Sequence, residues 1–266
     1  MTIPIALTIA GSDSSGGAGI QADLKTFAAF GVYGASAITA LTAQNTQGVS
    51  GIHPVPAEFV TAQIDAVFGD LDVKAVKIGM VSERVVIEAI EAGLQRWSPK
   101  HIVLDPVMVA TSGDRLLAPD AIEALRTKLI PRASLITPNL PEAAALLDET
   151  VAVSEADIES QGRRLLAMGC AAVLIKGGHG RGAESIDYLV REAGVAALAA
   201  PRIATKNTHG TGCSLSSAIA AGLAKGGDLE AAVDNAKTWI SAAIAAADRL
   251  DVGHGHGPIH HFHAFD

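Results

Sequence analysis

Cysteine is nearly absent: Cys170 and Cys213 are the only two in 266 residues. They form no Cys-x-x-Cys pair and no multi-bridge framework, so a reducing compartment, the cytoplasm, is expected. Aromatic residues make up 4% of the chain against 27 glycines, which favours tight helix-on-sheet packing. No run of basic residues offsets the formal charge of −8 or the pI near 5.5. That balance argues against nucleic acid or an anionic membrane as partner. No apolar run reaches membrane-spanning length without glycine, proline or charge interrupting it. The N-terminus lacks a basic stretch and reads as a first buried strand, not a signal peptide. There is no Gly-Lys dipeptide and hence no Walker A loop. Gly17-x-Gly19-x-x-Ala22 fits a dinucleotide loop loosely, but Leu24 to Ala57 contains neither Asp nor Glu to hold a ribose hydroxyl.

Hydrophobic residues reach 49% and charged ones 18%, so a substantial core is expected and disorder is not. Short β-rich runs alternate with helical patterns from end to end. Strands are predicted at Ile3–Ala10, Ala35–Leu41, Val73–Ile78, His101–Pro106, Ser134–Thr137, Ala172–Lys176, Asp187–Val190 and Arg202–Thr205. Helices are predicted at Gly19–Phe30, Ala57–Phe68, Glu83–Arg96, Asp120–Ile130, Glu142–Leu147, Glu155–Met168, Ser214–Lys225 and Leu229–Arg249. The strands are continuous apolar runs, as expected when helices cover both faces. The pattern is α/β: a doubly wound, mostly parallel sheet in three layers, with residues 1–266 as one domain.

In such a sheet ligands bind beyond the carboxyl ends of the strands. The residues placed there are Gly11-Ser-Asp13, Gln44-Asn45, Gly79-Met80, Asp105-Pro106, Thr137-Pro-Asn139 and Lys176-Gly-Gly178. Polar residues and glycines converge on one rim, and that convergence says more than any single motif.

The run Thr205-Lys-Asn-Thr-His-Gly-Thr-Gly-Cys213 precedes a small, apolar helix. Gly210 and Gly212 let backbone N–H groups turn toward one point, where the positive end of that helix's dipole also lies, making an anion site suited to a phosphoryl group. Cys213 stands in the first turn, where a thiol loses its proton most easily. Against this stands the ordinary reading of a tight turn followed by a small buried thiol. Asn139 and Glu142 open a helix and can reach one hydrated Mg²⁺, although an N-cap with a first-turn acid uses the same spacing. Asp105, closing an apolar run, needs a partner or a cation. Lys176 suits a nucleotide phosphate, or is a snorkelling edge lysine. Gln44 can pair bidentately with an amino-substituted ring nitrogen, or is a plain loop amide. The tail His254-Gly-His256-Gly-Pro-Ile-His260-His261-Phe-His263 holds five of the nine histidines. Its glycines and lack of interleaved acids favour packing or a subunit contact over metal. Cys170 reads as inert core.

Together these motifs resemble the ribokinase-like superfamily, and within it the hydroxymethylpyrimidine/phosphomethylpyrimidine kinases of thiamine biosynthesis. The resemblance runs through Leu7–Thr26, Thr39–Thr46, Lys77–Met80, Asp105–Met108, Leu135–Ala143, Lys176–His179, Thr205–Cys213 and Val252–Phe262. It implies an ATP-dependent kinase that phosphorylates 4-amino-5-hydroxymethyl-2-methylpyrimidine to its monophosphate and then its diphosphate. The ring is expected among Gly11, Asp23, Gln44, Met80 and Val107. ATP and Mg²⁺ are expected across Asp105, Asn139, Glu142, Lys176, Gly178, Thr208 and Lys237, with Asp105 and Glu142 toward the metal. Gly210, Thr211, Gly212 and Cys213 form the catalytic run, with Cys213 where much of the superfamily carries aspartate as base. A homodimer is expected. Some bacterial pyridoxal kinases share the cysteine, so a pyridoxal/pyridoxine kinase is the alternative.

Overall fold

Nine strands form one sheet in the order β3-β2-β1-β4-β5-β6-β7-β8-β9 in a computed structural model that describes residues 2–108, 119–178 and 182–265. The strands are β1 (Ile5–Asp13), β2 (Tyr33–Asn45), β3 (Gly48–Pro54), β4 (Val73–Ile78), β5 (Ile102–Leu104), β6 (Leu135–Ile136), β7 (Val173–Ile175), β8 (Glu184–Arg191) and β9 (Gly194–Pro201). From β2 to β7 every neighbouring pair in the sheet is parallel, and β3, β8 and β9 join antiparallel. The helices are α1 (Gly19–Ala29), α2 (Ala57–Asp70), α3 (Arg84–Trp97), α4 (Pro119–Ala124), α5 (Leu140–Leu147), α6 (Glu155–Leu166), α7 (Thr211–Ala224) and α8 (Leu229–Ala245).

Strand alternation sorts the core onto two faces. Leu7 and Ile9 of β1, with Val76 and Ile78 of β4, pack under α2 and α3. Ala6 and Ala75 point the other way, where Phe27 of α1 and the Leu215–Ala224 face of α7 cover them. The small residues of α7 let that helix lie close against the sheet centre. The chain steps from β1 to β2 on one side and to β4 on the other, so β1 and β4 flank the switch point at which such sheets bind ligands.

Several boundaries depart from the sequence reading. Strands β3 and β9 were not anticipated. The first is a glycine-broken run, and the second is alanine-rich and held as a strand by pairing with β8 through a turn ending at Gly194, φ +146°. Arg202–Thr205, expected as a strand, is irregular. There the Arg202 guanidinium donates to the carbonyls of Gly178 (2.7 Å) and Glu184 (2.9 Å), fixing the loop by side-chain bonds instead of a ladder. The single helix expected over Asp120–Ile130 is α4 followed by a π turn at Leu125–Leu129 and a 3₁₀ turn at Ile130–Arg132, which carries Pro131. His179, Gly180 and Arg181 lie outside the described residues.

Candidate active site

The strand-end residues line one cavity of about 720 Å³, bringing together Gly11, Gln44, Met80, Asp105, Asn139, Lys176 and Gly178. Two of them are placed by irregularities in strand pairing. The β1–β2 register shifts between Ala10 and Ser12, and the β2–β3 register shifts between Ala43 and Gln44. Such bulges re-aim side chains at a sheet's rim. At Gly11 a Cβ would lie 2.7 Å from the Met80 Cε, so glycine lets Met80 reach the pocket wall.

The N-terminus of α7 opens into the middle of this cavity. Gly210 is its N-cap, at φ +78° and ψ +6°, and no side chain caps the helix. A Cβ at Gly210 would collide with the Gly17 carbonyl, so the left-handed turn and the close approach both require glycine there. The N–H groups of Gly212 and Cys213 have no intrahelical partner at this end and border the cavity. Thr211 Oγ1 donates to the Thr208 carbonyl at 2.7 Å, tightening the turn. The left-handed residue is Gly210, not Gly212. Gly212 serves by lacking bulk, since its Cβ would stand 3.3 Å from Lys176 Nζ and 3.8 Å from Asp105 Oδ2.

Beside the cradle lies a web of charges. Asp105, 1% exposed, accepts from Lys176 Nζ at 2.7 Å, Thr137 Oγ1 at 3.0 Å and Ser216 Oγ at 3.4 Å. Burial would raise the Asp105 carboxyl, but Lys176 and Lys77 outweigh it and hold it below its usual range. Burial also works against the Lys176 charge, and Asp105 with Glu142 prevails, raising its pKa. Lys176 follows directly on β7, an interior strand, and its side chain is only 13% exposed, so it is no snorkelling edge lysine. Glu142 Oε2 is 3.8 Å from Lys176 Nζ. Burial pushes the Glu142 carboxyl up to about 7 against Lys176, with Asp105 adding to the rise. Asn139 and Glu142 also form a reciprocal capping box, each side chain accepting from the other's backbone N–H at 2.8 Å. The helix-capping reading of that pair therefore holds, and Glu142 faces the cavity as well.

Two expectations are corrected. Asp23 does not line the pocket: it is fully buried beneath it, accepting from Lys77 Nζ at 2.8 Å, Thr8 Oγ1 at 2.6 Å and Ser217 Oγ at 2.7 Å. Alternation turns Thr8 and Lys77 to the α1–α7 face, where α1 carries Asp23 inward. Nor does the helix start make Cys213 acidic. Burial pushes its thiol up to about 11, Asp23 and Asp105 act in the same direction, and Lys77 with the Gly19 N–H only partly offsets them. Cys170 is inert core, as expected, with its thiol pushed up to about 11 by burial.

Other lining residues were missed. His209, within the Thr205–Cys213 run, is 5% exposed and sits 2.8 Å from the buried Asp13 carboxylate. At the far end Ala200, Pro201 and Ile203 face Ile240 and Ile244 of α8, forming an apolar slot that no motif announced. Lys237 reaches that end too, its charge met by Asp187 at 2.8 Å. The end of the histidine tail packs, with Ile259 fully buried, His260 and His261 buried and His261 Nε2 2.9 Å from Ser214 Oγ, whereas His254 and His256 are exposed. No group of three metal-ligating side chains occurs among the described residues.

The geometry is thus an elongated cavity with a polar ring pocket at one end, an apolar slot at the other and an anion cradle between them. The phosphomethylpyrimidine kinase family model matches residues 13–260. The chain belongs to that family. It is 57% identical over 260 residues to the hydroxymethylpyrimidine/phosphomethylpyrimidine kinase of Salmonella typhimurium, covering 98% of each chain. Phosphomethylpyrimidine kinase from Clostridium difficile is similar in structure, with a TM-score of 0.81 and 46% identity over 91% of this chain and 100% of that one. Pyridoxal kinase from Bacillus subtilis, solved as an ADP complex, superimposes with a TM-score of 0.92 at 35% identity, covering 99% of each chain. No described helix of the kinase is long and apolar enough to cross a membrane.

Proposed function

We propose that the chain transfers the γ-phosphoryl group of ATP to 4-amino-5-hydroxymethyl-2-methylpyrimidine, and then to the resulting monophosphate, in thiamine biosynthesis. The observation that carries this reading is the uncapped N-terminus of α7, opening between a ring-sized polar pocket and an apolar slot within one cavity. The ring rests against Gly11, Met80 and Val107, and Gln44 offers an acceptor and a donor to its amino group and neighbouring nitrogen. The adenine fits the slot between Ile203 and the Ile240–Ile244 face. Lys176 meets the phosphates, with Asn139, Gly178, Thr208 and Lys237 bounding their path.

The N–H groups of Gly212 and Cys213 stabilise charge on the transferring group, typically the largest catalytic contribution. Cys213 is positioned to take the hydroxyl proton. Its thiol is neutral beforehand, so that transfer requires prior loss of its own proton or a relay through it. Glu142 and Asp105 fit Mg²⁺: hard oxygens, few in number, beside the phosphate path, as suits an ion that keeps water and phosphate oxygens as further ligands. The ion supplies charge neutralisation at the phosphates. Glu142, free of full neutralisation by Lys176, is the carboxylate with capacity to spare. Two unpaired cysteines support a cytoplasmic setting, and the exposed β2–β3 edge, with Leu41 and Ile52 outward, supports a homodimer of single-domain subunits.

A panel assay tests the reading: ATP with the pyrimidine alcohol, its monophosphate or pyridoxal, products identified by mass. Mono- and diphosphate of the pyrimidine are expected. The close superposition on a pyridoxal kinase keeps pyridoxal as a second reading, and exclusive turnover of pyridoxal would establish it instead.

A further inference from the structure

We infer that His209, held by Asp13, is a specificity-determining positioning residue: it fixes which end of the Gln44 amide faces which edge of the substrate ring. The inference rests on the pyrimidine reading above and deepens it. Asp13 is 3% exposed, and five donors surround its two oxygens. Ser15 N and Oγ donate to Oδ1 at 2.8 and 2.7 Å. The N–H groups of Gly17 and Ala18 approach Oδ2 at 3.1 and 2.8 Å, and His209 Nε2 at 2.8 Å. Burial alone would raise this carboxyl, but His209, Ser15 and Ala18 hold it well below the usual range. It is therefore an ionised group that only accepts. Two bare acceptors do not sit at 2.8 Å, so His209 Nε2 carries a proton and points it at Asp13.

Gln44 lies between that imidazole and Thr42. The amide stands with its Nε2 3.4 Å from His209 Nε2 and its Oε1 3.0 Å from Thr42 Oγ1, and the reversed setting occupies the same space. The two ends have the same shape, so hydrogen-bond complementarity decides the setting. An NH₂ beside a protonated Nε2 finds no acceptor there, whereas a carbonyl oxygen lies beside the positive N–H whose proton points at Asp13. Thr42 agrees from the other side. Its single proton lies within reach of the Ser12 carbonyl at 2.9 Å as well as of the amide at 3.0 Å; the carbonyl can only accept, so with the proton there the Thr42 oxygen accepts from a Gln44 NH₂. Both neighbours thus set the oxygen toward His209 and the NH₂ toward Thr42. The remaining oxygen lone pair and the second N–H form an acceptor–donor edge of fixed order on the cavity. That order matches a ring presenting an amino group beside an unprotonated nitrogen. It mismatches the 4-oxo analogue, whose carbonyl and ring N–H reverse the pattern. A site built this way rejects the reversed edge because it strands two polar groups.

The test measures kcat/KM for the 4-amino alcohol and for its 4-oxo analogue, in the wild type, His209→Phe, and His209→Gln, which restores an N–H donor. In the wild type the amino compound should be preferred by at least 100-fold. In His209→Phe the amide is free to turn over, and the preference should fall at least 10-fold, with partial recovery in His209→Gln and little change in the KM for ATP. An undiminished preference in a folded His209→Phe enzyme would overturn the inference and leave the kinase reading intact. Failure of the wild type to phosphorylate the amino alcohol would overturn that reading instead, and the inference with it. Long-range ¹⁵N–¹H spectra of the wild type supply a measurement independent of the variants' folding. A His209 proton on Nε2 is expected, and a neutral imidazole protonated only on Nδ1 would overturn the inference.

Discussion

Glu142→Gln should stabilise the ligand-free enzyme while disabling it, and the gain should grow with pH. The Glu142 carboxyl is raised from 4.5 to about 7, chiefly by burial. The folded protein therefore binds this proton more tightly than the unfolded chain does. Ionising the group costs nothing below about pH 4.5, increasingly more between there and about 7, and a constant amount above. At about 1.4 kcal/mol per pH unit, the interval corresponds to about 3.5 kcal/mol at most. Glutamine keeps an oxygen for the Asn139 N–H, so the capping box persists. Lys176 keeps Asp105.

Thermal melts of wild type and variant from pH 5 to 9, without nucleotide or divalent metal, should therefore diverge. Near pH 5 the two should differ by no more than about 2 °C. At pH 9 the variant should melt higher by up to about 7 °C, taking about 2 °C per kcal/mol for a chain of this size. Kinase turnover should collapse at every pH, because a carboxylate is lost from the phosphate path. A melting difference that does not vary with pH, or a variant less stable at pH 9, would refute the reasoning that burial dominates this carboxyl.

Cys213→Ala should fold normally, judged by circular dichroism, and lose about 10²–10⁴ in kcat, the usual scale for a proton-transfer group; near wild-type turnover would return Cys213 to the class of small buried thiols. Gly212→Val should keep its backbone, whose φ is ordinary, yet press on Lys176 Nζ from 3.3 Å and crowd the cradle. Its single-turnover rate should fall further than that of Cys213→Ala, and the opposite ranking would move the phosphoryl site elsewhere. Ile244→Glu should raise the KM for ATP more than 10-fold and spare the KM of the alcohol, by placing a charge in the apolar slot; equal changes in both would mean the slot does not hold the adenine.

What the sequence makes legible follows from where information is local. Val73–Ile78 has the bounds read from the sequence: four of its six residues are apolar, and from Ala75 to Ile78 this central parallel strand is buried on both faces. The strand ends converge as expected, since in a parallel sheet every carboxyl end points to one rim. The β9 strand was illegible because its alanines favour a helix, and only pairing with β8 overrides that preference. The apolar slot was illegible for a similar reason. Ile203, Ile240 and Ile244 look like core residues in the sequence, and only the packing of α8 against the β9 end makes a cleft of them.

Asp23 shows how a motif residue can act on the site without lining the pocket. The resemblance placed it in the ring pocket, but helix periodicity turns it inward, against a lysine that strand alternation turns toward it. Both side chains are fully buried, and an ion pair there repays its desolvation only if the remaining hydrogen-bonding capacity is met. Thr8 from β1 and Ser217 from α7 meet it. The pair therefore joins β1, β4, α1 and α7 at one point beneath the cradle. Cys213 and Ser217 lie one turn apart on α7, so the contact that seats Asp23 also fixes the rotation of the helix presenting the N–H groups. Removing one partner would leave a buried charge uncompensated, at a cost of about 3–5 kcal/mol. Neither member can be lost alone, which is why a residue outside the pocket is as constrained as those within it.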